Sequence, residues 1–158
     1  MRAVLTFLVA FGLVSCAFGA EITSPQATLP QTPLTIQSAK GPQRFTVEMA
    51  TEWPQQQTGL MFRKALAPNA GMLFDFMDES NQSFWMKNTL IPLDLLFIKA
   101  NGTIVRIAAM AKPLSLDNIP SYEPVRAVLE IPGGRAAELG LKAGDKAIHP
   151  IFGNAPAR

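Results

Sequence analysis

Between two apolar runs lies Phe84-Trp85-Met86-Lys87-Asn88-Thr89, followed closely by Ile91-Pro92-Leu93-Asp94. An aromatic, a thioether, an amide, a hydroxyl and two opposite charges are thus crowded together. Strand side chains alternate between faces, so Phe84 and Met86 turned inward would turn Trp85 and Lys87 outward. An outward Trp85 beside Asn88 and Thr89 offers a ring for stacking and polar groups to fix orientation, as in sites that hold sugars or peptides. The plainer alternative is that Trp85 covers the end of a sheet while Asn88 and Thr89 satisfy their own turn.

Three more charges stand in apolar surroundings: Arg63, Asp94 and Glu130. A charge buried in this way must find a partner, or its ionisation shifts. Arg63 paired with Asp94 or Glu130 would clamp two strands and wall the site. A sharper reading makes Asp94 and Glu130 an acid-base pair for a glycosidic bond, which needs carboxyls about 5–9.5 Å apart across a cleft. Met61, Met72 and Met86 supply soft thioethers, which select Cu(I). They sit within strand-periodic segments, where methionine equally serves as a filler of the core.

Much chemistry is excluded. The only histidine is His149, and the only cysteine, Cys16, sits near the start of the chain, so neither a closed zinc site nor a cysteine nucleophile is expected. No Gly-x-Ser-x-Gly elbow occurs. Pro132-Gly133-Gly134-Arg135 reads as a turn and not as a phosphate cradle. No cofactor is expected. Fourteen basic residues against twelve acidic give a net charge of +2, too near balance for a nucleic-acid partner.

The N-terminus reads as an address. Arg2 precedes an apolar run over residues 3–14, and small residues follow at Ser15, Ala17, Gly19 and Ala20. That is the layout of a secretory signal, too short for a stable membrane span. Cleavage at Ala20-Glu21 would release a soluble periplasmic or secreted chain without cysteine. Leu13-Val14-Ser15-Cys16 also resembles a bacterial lipobox, and acylation at Cys16 would tie the chain to the membrane. Either way the fold lacks an internal disulfide and rests on its core. The partner would be an envelope ligand or protein.

The elements that must position these residues follow from periodicity. Residues 21–33 are rich in proline, threonine and glutamine and read as a linker, and order is expected from residue 34. Phe45, Val47 and Met49 alternate with Thr46 and Glu48, and Lys40-Gly41-Pro42 supplies a hairpin turn. Thr51-Glu52-Trp53-Pro54 starts a short helix that stops at Gly59. Met72, Phe74 and Phe76 share one face of a strand, with Leu73, Asp75 and Met77 on the other. Asn101-Gly102 joins two further strands, and residues 125–131 form a buried one. A second short helix over residues 135–139 is closed by Gly140, and residues 146–149 make a final strand. The sum is one mainly β domain over residues 34–152 with two short helices and a tail over residues 153–158. It predicts a mainly antiparallel sandwich or partly closed barrel.

Several segments carry a resemblance. Gly59-Leu60-Met61-Phe62-Arg63, Gly71-Met72-Leu73-Phe74-Asp75-Phe76, residues 84–89, Ile91-Pro92-Leu93-Asp94 and Gly140-Leu141-Lys142-Ala143-Gly144-Asp145 together resemble the domain of unknown function 192. The resemblance spans nearly all of the domain. It implies a compact, mainly β fold, often exported or membrane-tethered, and brings no assigned activity or site. The residues themselves point to a non-catalytic binding module using Arg63, Trp85, Lys87, Asn88, Thr89, Asp94 and Glu130. The alternatives are a hydrolase built on Asp94 and Glu130, or a Cu(I) carrier through Met61, Met72 or Met86.

Overall fold

A computed structural model describes residues 21–155. The expected signal peptide with Cys16, and the last residues of the tail, lie outside them.

Nine strands and two short helices follow in the order β1 (Gln31–Ser38), β2 (Gly41–Ala50), α1 (Trp53–Thr58), β3 (Ala70–Ser80), β4 (Ser83–Phe84), β5 (Leu93–Ile98), β6 (Ile104–Ala111), β7 (Ile119–Pro120), β8 (Val125–Pro132), α2 (Arg135–Leu139) and β9 (Lys146–Ile148), with a final 3₁₀ turn at Pro150–Phe152. Seven strands form one sheet in the order β6-β5-β8-β3-β2-β1-β9, and β4 pairs with β7 separately. The large sheet curls until its edges meet at one end. There Thr103 bridges Lys146, and the Ile104 and Ala147 amides donate to the Asp145 and Gly102 carbonyls. The protein is thus mainly β, a partly closed barrel.

Pairing is antiparallel except between β2 and β3, which run parallel. Residues 51–69, including α1, are long enough to carry the chain back to the end where β2 began, which a parallel neighbour requires. β1 starts at Gln31, inside the stretch read as a linker. Pro33 fits there because β9 pairs only with residues from Thr35 to Gln37, so the side of Pro33 that lacks an N–H faces no neighbour. Upstream, the Leu29 amide donates to Glu48, and Gln26 donates to the Gln55 and Gly59 carbonyls.

Both faces of the sheet are buried. Leu34, Ile36, Phe45, Val47, Leu73, Leu96, Ile98, Leu129 and Ile131 form the core inside the curl. Met72, Phe74, Leu93, Leu95, Phe97 and Val128 form a second core outside it, capped by Leu60 and Met86. Central β5 and β8 are therefore nearly continuous apolar runs, as strands covered on both sides are. The charges within those buried runs, Asp94 and Glu130, each require an account.

Candidate functional site

A cleft of about 710 Å³ opens on the outer core, between α1, the turn that follows it and the corner at residues 82–89. Its first wall is α1. Glu52 and Gln55 close a reciprocal capping box at the helix start, and Gln56 ties the helix to the sheet through the Ala50 and Asp75 carbonyls. That places Trp53, Gln56 and Gln57 along the cleft, and Trp53 is 68% exposed. Gly59 ends the helix with a φ of +48°, and a Cβ there would lie 3.2 Å from the Phe74 ring. The turn can pass over the core only because this position has no side chain.

The opposite wall is the aromatic corner. Met86 is sealed in the core, while Trp85 stands 50% exposed, with the Lys87 Nζ 5.3 Å from its ring centroid. Asn88 takes a φ of +56°, which asparagine tolerates, and its carbonyl accepts from the Phe62 amide at 2.8 Å. Phe62 itself has a φ of +60°, so two left-handed residues joined by one hydrogen bond hinge the corner to the turn. Loop residues brace it from behind: the Met86 amide donates to the Ser115 carbonyl, and the Leu114 amide to that of Thr89. Phe84 meets Phe74 edge-on, with centroids 5.1 Å apart. Leu60, Met61, Phe74 and Thr89 are buried at the bottom.

Glu130 lies at this floor, only 5% exposed. Burial pushes its carboxyl up to about 8, with no hydrogen bond or counter-charge opposing that shift. Among the described residues no fully sealed side-chain oxygen or nitrogen lacks a partner. The Glu130 carboxyl therefore keeps its contact with the cleft.

Trp85, Lys87, Asn88, Thr89 and Glu130 thus come together, whereas Arg63 and Asp94 do not line the cleft. Arg63 forms a clamp, but with Glu48, donating at 3.1 and 2.9 Å to its two oxygens. Glu48 sits on β2 and Glu130 on β8, both in register with Met72 between them, so the clamp is two strands away from Glu130. Asp94 faces the other way. Leu95 pairs with Glu130 and Asp94 with Ile131, which puts the two carboxylates on opposite faces of the sheet. Asp94 is wholly buried and accepts the backbone amides of Met110, Gly134 and Ala136 at 2.8–2.9 Å, fixing the start of α2. The Asp94–Glu130 pair across a glycosidic bond is therefore not formed.

Nor do the three methionines meet at an open position. Met72 and Met86 are sealed in the outer core, and of the three only Met61 lines the cleft. His149 is buried, with Nε2 2.8 Å from the Thr32 hydroxyl and Nδ1 accepting from the Ile151 amide, and burial lowers its pKa. Trp53, Gln56 and Gln57 are cleft residues that the sequence reading places only in a helix. The one available signal was a tryptophan at a helix start with no apolar neighbours to bury it.

The comparisons decide the family. The model of DUF192, described as an uncharacterized ACR, matches residues 34–149. The chain belongs to the DUF192 family. It is similar to a solved structure from Sinorhizobium meliloti 1021 described as a candidate transcription regulator, with a TM-score of 0.77 and 39% identity over 80% of this chain and 98% of that one. It is also similar to a protein of unknown function from Novosphingobium aromaticivorans, with a TM-score of 0.76 and 38% identity over 87% of this chain and 99% of that one. No curated protein matches. Membership of DUF192 thus accounts for the fold and leaves the activity open.

Proposed function

We propose that this DUF192 protein is an exported, non-catalytic binding module of the bacterial envelope that holds a small ligand, a glycan or peptide fragment, in the cleft between α1 and the Trp85 corner. The observation that carries this reading is the open cleft of about 710 Å³ with Trp53 and Trp85 standing exposed on its lips. That volume lies in the range of small-molecule sites, roughly 300–1,000 Å³. The side groups of Gln56, Gln57, Gln82, Asn88 and Thr89 offer donors and acceptors beside ring faces, the mixture that orients polar ligands. Export rests on the charge and apolar pattern of the N-terminal residues. The regulator description of the Sinorhizobium protein finds no counterpart in this chain's nearly balanced charge.

The test is calorimetric titration with saccharide and peptide fragments. Micromolar to millimolar binding that vanishes in Trp85→Ala/Asn88→Ala, with Tm nearly unchanged, supports the reading. Loss of binding together with a collapse of Tm would reassign the corner to the core. Fractionation and intact mass of the expressed protein test export, and an acylated Cys16 would give the membrane-tethered form.

A further inference from the structure

Glu130 is the one group in the cleft whose chemistry is incomplete. It lies on a strand covered on both faces, is 5% exposed, and its carboxyl makes no hydrogen bond among the described residues. The basic side chains of this region are already engaged. Arg63 is held bidentately by Glu48, which also accepts from the Leu29 amide. Arg126 is paired with Asp75, and Arg106 lies over the Phe97 and Tyr122 rings. Lys87 sits at the exposed lip against the Trp85 ring. Among the described residues, Lys87 is the one cation that lines the cleft.

The cleft onto which that carboxyl opens carries several rings and a thioether among its polar groups. Phe74, Phe76, Phe84 and Trp85 line the cleft together with Met61. A hard metal ion takes six or more oxygen ligands, and among the described residues no group of three or more His, Cys, Asp or Glu is placed to hold one. An organic ammonium fits better: its charge is attracted to ring faces, and its N–H groups meet the carboxylate. Resting on the cleft reading above, we propose that the ligand carries an organic ammonium group, seated against Glu130 between the aromatic walls, with its neutral remainder among the amides of Gln56, Gln57 and Asn88.

The ionisation of Glu130 adds a signature. Its carboxyl, held up to about 8 by burial, is mostly protonated at neutral pH, so an arriving cation must displace a proton. The other charged groups on this side are Glu21 and Lys87 in the cleft lining and the Glu48–Arg63 pair on the same face of the sheet.

The experiment is calorimetry with matched probes, 2-phenylethylamine against 2-phenylethanol and cyclohexylmethylamine against cyclohexylmethanol, in buffers of differing ionisation enthalpy. The amines are expected to bind at least tenfold more tightly than their neutral counterparts, with release of close to one proton. Below pH 8 their affinity should fall by about tenfold per pH unit, the slope for one displaced proton. Glu130→Gln should erase the preference for the amine over its neutral counterpart. Proton release by the wild-type protein carries the test if that variant fails to fold. Equal, Trp85-dependent binding of amine and neutral probes would overturn the ammonium proposal while leaving the cleft reading intact. If neither kind of probe binds, both proposals fall.

Discussion

Replacing Glu130 with glutamine should make the protein more stable in alkali and leave it unchanged in acid. The carboxyl has an ordinary value of 4.5 and is raised by burial to about 8 in the fold. The folded chain therefore binds one more proton than the unfolded chain across that window, and stability falls as pH rises through it. Below 4.5 the acid is neutral in both states and carries no penalty; above 8 the full penalty is present. Each pKa unit corresponds to about 1.4 kcal/mol, so the upper bound is on the order of 5 kcal/mol, with relaxation and water entry reducing it to about 2–4 kcal/mol. Glutamine nearly matches the protonated acid in shape and never ionises. Urea denaturation of both proteins at pH 4, 6, 8 and 9.5 measures the difference, in which every other titrating group cancels. Coincident stabilities at pH 4 that diverge in favour of Glu130→Gln toward pH 9.5 are expected. Curves that stay parallel across the range would refute an unpaired buried carboxyl, and with it the account of the cleft floor.

Asp94→Ala strips three buried amides of their acceptor and should cost at least about 3 kcal/mol in denaturation, with α2 most exposed to hydrogen exchange. Arg63→Ala leaves Glu48 buried without its counter-charge and should cost about 3–5 kcal/mol, whereas Arg63→Ala/Glu48→Leu should regain much of it. His149 is buried and its pKa lowered, so the unfolded chain takes up the proton first; stability should drop as pH falls below 6.5, and His149→Gln should remove that slope.

Much of the fold was legible because local rules and tertiary packing agreed. The alternation of Phe45, Val47 and Met49, the Asn101-Gly102 turn and the short helix ended by Gly140 all reappear where the pattern puts them. Pairing register was not legible, and it decided the site. Whether Asp94 and Glu130 share a face depends on Leu95 and not Asp94 standing opposite Glu130, a one-residue matter that no local pattern encodes. The same holds for Arg63, whose partner Glu48 reads in sequence as an outward residue of a half-buried strand. Only α1 and the proline-rich N-terminal segment, folding over the outer face, turn Glu48 into a buried acid. Within the Trp85–Thr89 corner, a buried Met86 between outward Trp85 and Lys87 matches the alternation, although only Ser83–Phe84 is strand there and Thr89 is buried.

The most direct measurement is chemical-shift mapping on isotope-labelled protein titrated with the amine and saccharide probes. Perturbations confined to the cleft are expected, with the Trp53 and Trp85 indoles, the Asn88 and Gln56 side-chain amides and the backbone around Glu130 shifting together. Shifts gathered on any other surface, or none at all at millimolar probe, would contradict the cleft reading.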